Sequence, residues 1–301
     1  MKYIITKDNE VMSRFSLGCM NLPLNEKEEI NDIFRLALEF GVNYFDTADL
    51  YQYGRNETTV GPLLHDYRKH FDIKIGTKVG NEFDSALREK IRWNPSSTYI
   101  KYAVNNSRHR LGVKEIDLYQ LHGGTMEDNK EDTINAFEDL KERKIIKSYG
   151  LSSIRKNVID YYKKHSNIAT LMTELSIINN KGEEFLDDDI VTIARGGLMQ
   201  GLLTEDYERV LNTKFKKGTK EYTQDELKEL LMMLTDYKHS LESIAFKYLS
   251  QKNTIILNGV SSRKQLEANV RHYIDSESIT DEEIKEIRSN LKTLTYRENR
   301  E

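Results

Sequence analysis

Gly41-Val42-Asn43-Tyr44-Phe45-Asp46-Thr47-Ala48-Asp49-Leu50-Tyr51 reads as a buried strand, residues 43–48, that reaches a carboxylate and then turns out to a phenol. A strand interior rejects an ionised side chain unless it has a partner, so Asp46 is the informative residue. Two readings compete: a carboxylate that caps the next helix or pairs with a lysine, and a carboxylate that belongs to a site. Upstream, residues 26–40 place Ile30, Ile33, Phe34, Leu36 and Ala37 at helical spacing, with Asn25 as N-cap and Gly41 closing the far end. Downstream, a helix is expected over 57–68, then a strand over 72–77 that ends at Lys78.

The alternation continues to the end of the chain. Apolar runs with β-branched content fall at 15–17, 43–48, 73–77, 116–121, 147–151, 170–175, 190–194 and 254–257. Helical patterns fall at 97–111, 132–143, 156–164, 225–236, 241–250, 262–272 and 281–294. Strands separated by helices imply βαβ units and a parallel sheet, and eight such units close into an α/β (β/α)8 TIM barrel. A doubly wound open sheet is the competing architecture. Residues 2–6 and 11–16 flank a polar turn and predict a short N-terminal hairpin, and the last pattern predicts a C-terminal helix. Trp93 falls in a loop after the third strand.

With 301 residues, three prolines and no Pro/Gly/Ser-rich linker, one domain over 1–301 is expected. Forty-five basic and 49 acidic residues give a net charge of −4, which leaves no basic footprint for nucleic acid. The single cysteine, Cys19, rules out an internal disulfide and a cysteine-rich zinc site. No run approaches the roughly 18 apolar residues that cross a bilayer, and the first residues lack a signal core, so a cytoplasmic protein with no membrane partner and no metal is expected.

A barrel carries its reactive groups at strand C-termini. The unusual polar residues fall there: Asp46, Lys78, His122, Ser152 and Ser153, Glu174 and Arg195. Aspartate, tyrosine, lysine and histidine meeting in one pocket suit proton transfer to a carbonyl oxygen. A free phenol titrates near pH 10, and a nearby ammonium favours the phenolate. Lys78 supplies that charge in this reading, Asp46 holds Lys78, His122 orients the substrate, and Tyr51 is the general acid. The other half of a carbonyl reduction is hydride, which side chains lack, so a nicotinamide cofactor is implied. The chain has no Gly-x-Gly-x-x-Gly, but Gly259-Val260-Ser261-Ser262-Arg263 follows the last strand and opens a helix, as phosphate binding requires. A plain serine N-cap is the other reading of that segment.

These residues together resemble the aldo-keto reductase family, and residues 47–57 with Gln120-Leu121-His122-Gly123-Gly124 resemble its bacterial general-stress and oxidoreductase branch. Asp46-Thr47-Ala48-x-x-Tyr51, Gly76-Thr77-Lys78 and Leu121-His122 match its catalytic tetrad in order and spacing; Gly150-Leu151-Ser152-Ser153 matches its amide anchor; residues 259–269 match its adenosine-phosphate segment; and Gly18-Cys19-Met20 sits at its first cofactor loop. The resemblance implies an NADPH-dependent (NADPH/NADP+) reductase of a small-molecule carbonyl. It assigns cofactor contacts to Gly18, Cys19, Met20, Asp46, Ser152, Ser153, Glu174, Arg195, Gly197, Leu198, Gly201, Leu203, Gly259, Ser261, Ser262, Arg263, Gln265 and Asn269, and pocket walls to Met20, Tyr51, Trp93 and His122. Four positions depart from the family pattern, the first being Ser153, where the amide anchor often has asparagine. Tyr53 rather than Tyr51 precedes the glycine; Tyr51 is chosen because it stands five residues after Asp46. Glu174 replaces a glutamine, and Arg195 stands where an aromatic ring often stacks. Arginine stacks by its planar face, and its charge is expected to favour the reduced, neutral nicotinamide. The Lys214, Lys216, Lys217, Lys220 cluster reads as a solvated loop or a cover for the pyrophosphate. Two other functions are carried forward: a non-catalytic NADPH-binding regulatory subunit, and a barrel isomerase or lyase that uses Lys78 as a Schiff-base amine.

Overall fold

The computed structural model describes residues 1–251 and 253–298. Strands β1 (Tyr3–Ile5) and β2 (Val11–Ser13) form the expected antiparallel hairpin, and β3 (Phe15–Gly18) opens the barrel. Then follow α1 (Lys27–Glu39), β4 (Tyr44–Asp46), a 3₁₀ turn (Tyr51–Gly54), α2 (Arg55–Tyr67), β5 (Lys74–Val79), β6 (Asn81–Asp84), β7 (Glu89–Trp93), α3 (Ser97–Leu111), β8 (Ile116–Leu121), α4 (Lys130–Glu142), β9 (Ile146–Ser152), α5 (Lys156–His165), β10 (Thr170–Glu174), β11 (Val191–Arg195), α6 (Tyr207–Thr213), α7 (Gln224–Thr235), α8 (Leu241–Ser250), β12 (Thr254–Gly259), α9 (Arg263–Asp275) and α10 (Asp281–Ser289).

Strands β3, β4, β5, β8, β9, β10, β11 and β12 pair in that order, all parallel, and β12 closes on β3. The closed barrel is therefore the architecture, and the open sheet is excluded. Closure depends on small residues at close approaches. A Cβ at Gly76 would lie 2.2 Å from the Tyr44 hydroxyl, and one at Gly150 the same distance from Thr170 Oγ1. Ile4 and Met12 of the hairpin are buried with Tyr44, Leu118, Met172, Ile193 and Ile255, so the hairpin plugs the barrel floor. Helix α1 buries Ile30, Ile33, Phe34, Leu36, Ala37 and Leu38, the stripe its periodicity implied.

Several expectations are corrected in detail. The segment holding Trp93 is an antiparallel hairpin, β6–β7, rather than a loop. Its second strand, Glu-Lys-Ile-Arg-Trp, is largely exposed and carries no alternating apolar face, so it gives no strand signal. The N-cap of α1 is Glu26, without a side-chain cap bond; Asn25 instead accepts from Arg55 at 2.5 Å. The final helix ends at Ser289 rather than at residue 294. Helix α6, Tyr207–Thr213, was unforeseen; Lys214 is its C-cap and donates to the Gln200 carbonyl at 2.8 Å, so the lysine cluster starts on a folded element. No helix among the described residues is long and apolar enough to cross a membrane.

Candidate active site

Parallel register brings the reactive groups to one end of the barrel. Gly18 lies beside Asp46, Asp46 beside Gly76, and Lys78 beside Gln120. Asp46 and Lys78 are buried side by side, with Lys78 Nζ donating to Asp46 Oδ2 at 2.5 Å. The same ammonium donates to the Thr47 carbonyl at 2.6 Å and reaches the Tyr51 phenol oxygen at 3.4 Å. Its three N–H bonds thus have three oxygens. Burial opposes the ammonium, but Asp46 and then Tyr51 outweigh it and hold the Lys78 pKa above its ordinary value. Burial pushes the Asp46 carboxyl up, and Lys78, Tyr44 and Gln120 pull it back. Tyr44 donates to Asp46 Oδ1 at 3.0 Å, and Gln120 Nε2 donates to the same oxygen at 3.3 Å.

His122 follows β8 and meets the Tyr51 ring edge-to-face at 6.0 Å. Its pKa is pushed down to about 3, first by burial and then by Lys78, Arg195 and Lys90, so the ring is neutral at physiological pH. Its Nδ1 is buried with no hydrogen-bond partner, which leaves Nε2 as the nitrogen free to meet a ligand. The depressed pKa has a stability consequence. Between pH 6.5 and about 3 the unfolded chain binds a proton at His122 and the folded chain does not, so stability falls as pH drops through that window. A His122→Gln variant is expected to lose less stability than wild type between pH 7 and 4.5, by about 2 kcal/mol. Urea denaturation at the two pH values checks it; parallel losses in the two proteins would refute it.

Of the two tyrosines, Tyr51 reaches the ammonium, whereas the Tyr53 ring packs against Phe83 at 6.2 Å. Tyr51 begins a turn in which Gln52 (φ 45), Tyr53 (φ 55) and Gly54 (φ 87) are all left-handed, a strain of order 1–3 kcal/mol for each non-glycine residue. Trp93 donates from its indole N–H to Asp128 Oδ1 at 2.9 Å and stands over Gly80 and Gly123, where a Cβ would meet its ring. It therefore joins the β6–β7 hairpin to the loop carrying His122.

The remaining candidates fall around the same barrel end. Cys19 is buried with its thiol pushed up by burial, while Met20 beside it is exposed. Ser152 ends β9 and Ser153 follows it, both buried. Glu174 and Arg195, adjacent on β10 and β11, form an ion pair at 2.8 Å, so the arginine's charge is countered. Gly197, Leu198 and Gly201 follow β11, but the Leu203 side chain is taken into the core. Gly259 pairs beside Gly18. Ser262 caps α9 by accepting from the Gln265 N–H at 3.2 Å, and Gln265 Oε1 accepts from the Ser261 N–H at 2.9 Å. Asn269 donates to Asn258 Oδ1 at 3.3 Å, and Asn258 Nδ2 is buried without a partner. Glu29 of α1 accepts from the Arg263 N–H at 2.6 Å. A carboxylate thus sits on the amide to which the phosphate reading looked.

Sequence reasoning passed over four buried residues. Tyr44 and Gln120 support Asp46; Tyr44 lies two residues before Asp46 on β4 and Gln120 two before His122 at the end of β8, and that spacing was the available signal. Asn56 bridges loops and Glu57 accepts from Thr77 Oγ1 at 2.6 Å and Arg110 Nε at 2.7 Å. Both end the stretch 47–57 that resembles the bacterial branch, but nothing in that stretch gives either a role. Asp49 is also buried, with both carboxyl oxygens unpartnered and its pKa raised by burial and by Glu57. Among the described residues no group of three His, Cys, Asp or Glu is placed to hold a metal.

A model of the aldo/keto reductase family matches residues 14–292. An uncharacterized oxidoreductase of Bacillus subtilis, YqkF, is 39% identical over 98% of this chain and 97% of its own length. The solved holo form of aldo-keto reductase AKR11C1 from Bacillus halodurans superposes with a TM-score of 0.90 at 38% identity, covering both chains in full. An Escherichia coli protein described as an NADH-specific methylglyoxal reductase is 24% identical over 76% of this chain and 78% of its own.

Proposed function

The chain belongs to the aldo/keto reductase family, and from that premise we propose that it reduces an aldehyde or ketone to an alcohol with hydride from NADPH and a proton from Tyr51. Nicotinamide-dependent carbonyl reduction is the chemistry of the family. The observation that carries the assignment of roles is the buried contact chain Asp46–Lys78–Tyr51, at 2.5 and 3.4 Å. Lys78 presents an ammonium to the phenol oxygen, so negative charge left there by proton donation is met at once. Asp46 keeps Lys78 charged and aimed. His122, neutral and with Nδ1 walled in, offers Nε2–H to the carbonyl oxygen and fixes which face the substrate presents.

The residues present fit a dinucleotide. Gly18 and Gly259 stand side by side on adjacent strands, Asn258 Nδ2 is buried with no partner, and Ser261 and Arg263 are exposed at the start of α9. Ser152 and Ser153 would hold the carboxamide, and Arg195, flanked by Glu174, would cover the ring. When bound, the cofactor supplies hydride to the carbonyl carbon. Gly197, Leu198, Gly201, Gln265 and Asn269 complete the set of cofactor contacts, and Met20 and Trp93 join Tyr51 and His122 around the substrate.

Preference for NADPH rests on Ser261, Ser262 and Arg263 near a helix N-terminus. Glu29 opposes it, because a phosphate arriving there meets an anion. One relative is itself named as NADH-specific. Glu29→Gln is therefore expected to tighten NADPH about 2–5-fold, as for one exposed charge at a helix terminus, with NADH little changed. Dissociation constants for both cofactors check this, and an equal change in the two would refute it. The function itself is tested by following NADPH absorbance against a panel of aldehydes and ketones. Tight NADPH binding without turnover of any of them would overturn the reductase reading in favour of a binding subunit.

A further inference from the structure

Asn56 lies in the first turn of α2 and is fully buried, and its hydrogen bonds go to Thr47, Cys19 and Gln52 rather than to Asp46, Lys78 or Tyr51. Every hydrogen-bonding atom of its carboxamide is used. Oδ1 accepts from Thr47 Oγ1 at 2.6 Å; Nδ2 donates to the Cys19 carbonyl at 2.8 Å and to Gln52 Oε1 at 3.2 Å. Gln52 in turn donates from Nε2 to the Met20 carbonyl at 3.2 Å. Two carboxamides thus clasp consecutive carbonyls of the loop after β3, while their other ends hold Thr47 and the residue directly after Tyr51. Thr47 also offers its carbonyl to Lys78 Nζ at 2.6 Å, so the clasp reaches the ammonium.

The backbone it holds is one that would not keep its shape unaided. Gln52 (φ 45, ψ 35) and Tyr53 (φ 55, ψ 51) are successive left-handed residues with side chains, and such residues persist only where their surroundings over-determine them. On the far side Arg110 packs over Gly54, where a Cβ would lie 3.1 Å from Arg110 Cδ. The strained turn is therefore fixed from two directions, and the direction facing the barrel mouth is Asn56 with Gln52.

We propose that Asn56 is a positioning residue that, through Gln52, couples the loop Gly18–Met20 to the placement of the Tyr51 phenol. A ligand seated on that loop moves the Cys19 and Met20 carbonyls, and the two carboxamides carry the displacement to the turn that aims the proton donor. The inference rests on the reductase reading, which gives Tyr51 the proton.

Two variants test it. Asn56→Asp keeps the acceptor and the shape but turns an oxygen toward the Cys19 carbonyl. Gln52→Gly lies at an exposed position where glycine relieves the left-handed strain, so it folds even where the buried variant does not. Gln52→Gly is expected to lower kcat about 10-fold, as for the two hydrogen bonds its carboxamide makes, with carbonyl KM and melting temperature unchanged. Asn56→Asp is expected to lower kcat about 10-fold or more, since it also loses two and sets an oxygen against the Cys19 carbonyl. In a Tyr51→Phe background neither substitution should reduce the residual kcat further, because a residue acting through Tyr51 has nothing left to act on. Losses that add in full in that background would overturn the coupling while leaving the reductase reading intact. Full activity of Tyr51→Phe alone would overturn both.

Discussion

Tyr51→Phe is expected to lower kcat for carbonyl reduction by about 10²–10⁴-fold while the NADPH dissociation constant and the melting temperature stay where they are. The substitution removes one oxygen. That oxygen lies 3.4 Å from Lys78 Nζ and has no other hydrogen-bond partner among the described residues, so its loss leaves no buried acceptor or donor stranded except one ammonium N–H. Lys78 retains its bonds to Asp46 and the Thr47 carbonyl, so the ion pair survives. The change therefore isolates proton delivery from folding and from cofactor binding. Tyr53→Phe is the matched control: its ring packs on Phe83, away from the ammonium, and little change in turnover is expected. NADPH consumption under saturating carbonyl, with cofactor binding followed separately, decides it. A Tyr51→Phe enzyme that turns over at the wild-type rate would remove Tyr51 from the mechanism; a loss confined to NADPH affinity would make its role one of binding.

The contrast between what was and was not legible in the chain follows the range of the forces involved. Each barrel strand is a short apolar run closed by a turn, so all eight were marked locally, and their parallel register then placed Asp46, Lys78 and His122 at one end. The β6–β7 hairpin was invisible because neither strand buries a face; its shape is held by Trp93 reaching Asp128, thirty-five residues on. Tyr44 sat in plain view in a residue pattern of period two. Its hydroxyl reaches Asp46 only because Gly76, on the next strand, leaves room for it. Asn56 lies in a stretch that resembles the bacterial branch, but nothing local tells what it holds, and Glu29 gave no signal at all. The Cys19 carbonyl that Asn56 reaches and the Arg263 N–H that Glu29 accepts from lie 37 and 234 residues away in sequence, and nothing short of the closed barrel brings them together.

The Asp46–Lys78 pair separates stability from activity most sharply. Both side chains are buried, and the pair is worth little net against two apolar residues of like volume, because desolvating two charges offsets their attraction. Removing one partner is another matter. Lys78→Met is expected to cost about 3–5 kcal/mol of stability at pH 7, since it leaves a carboxylate buried with only Tyr44 and Gln120 beside it. Asp46→Asn should cost a similar amount, of order 3–5 kcal/mol, by stranding the ammonium. The double variant should recover most of that loss and none of the activity, because the phenol of Tyr51 then has no cation beside it. The pH dependence has a definite sign. The folded pKa of Lys78 lies above its ordinary 10.5, so its contribution is fully present below that value and is lost only as pH rises through the folded pKa. The gap between wild type and Lys78→Met should accordingly persist from pH 6 to 9 and close in strongly alkaline solution. It should also narrow in acid, where the stranded Asp46 takes up a proton and relieves its own burial. Urea denaturation of the four proteins across that range, alongside NADPH turnover, measures both quantities. If the double variant were as unstable as either single one, the pair would be a net source of stability; if it retained turnover, the ammonium would have no part in aiming or activating the phenol.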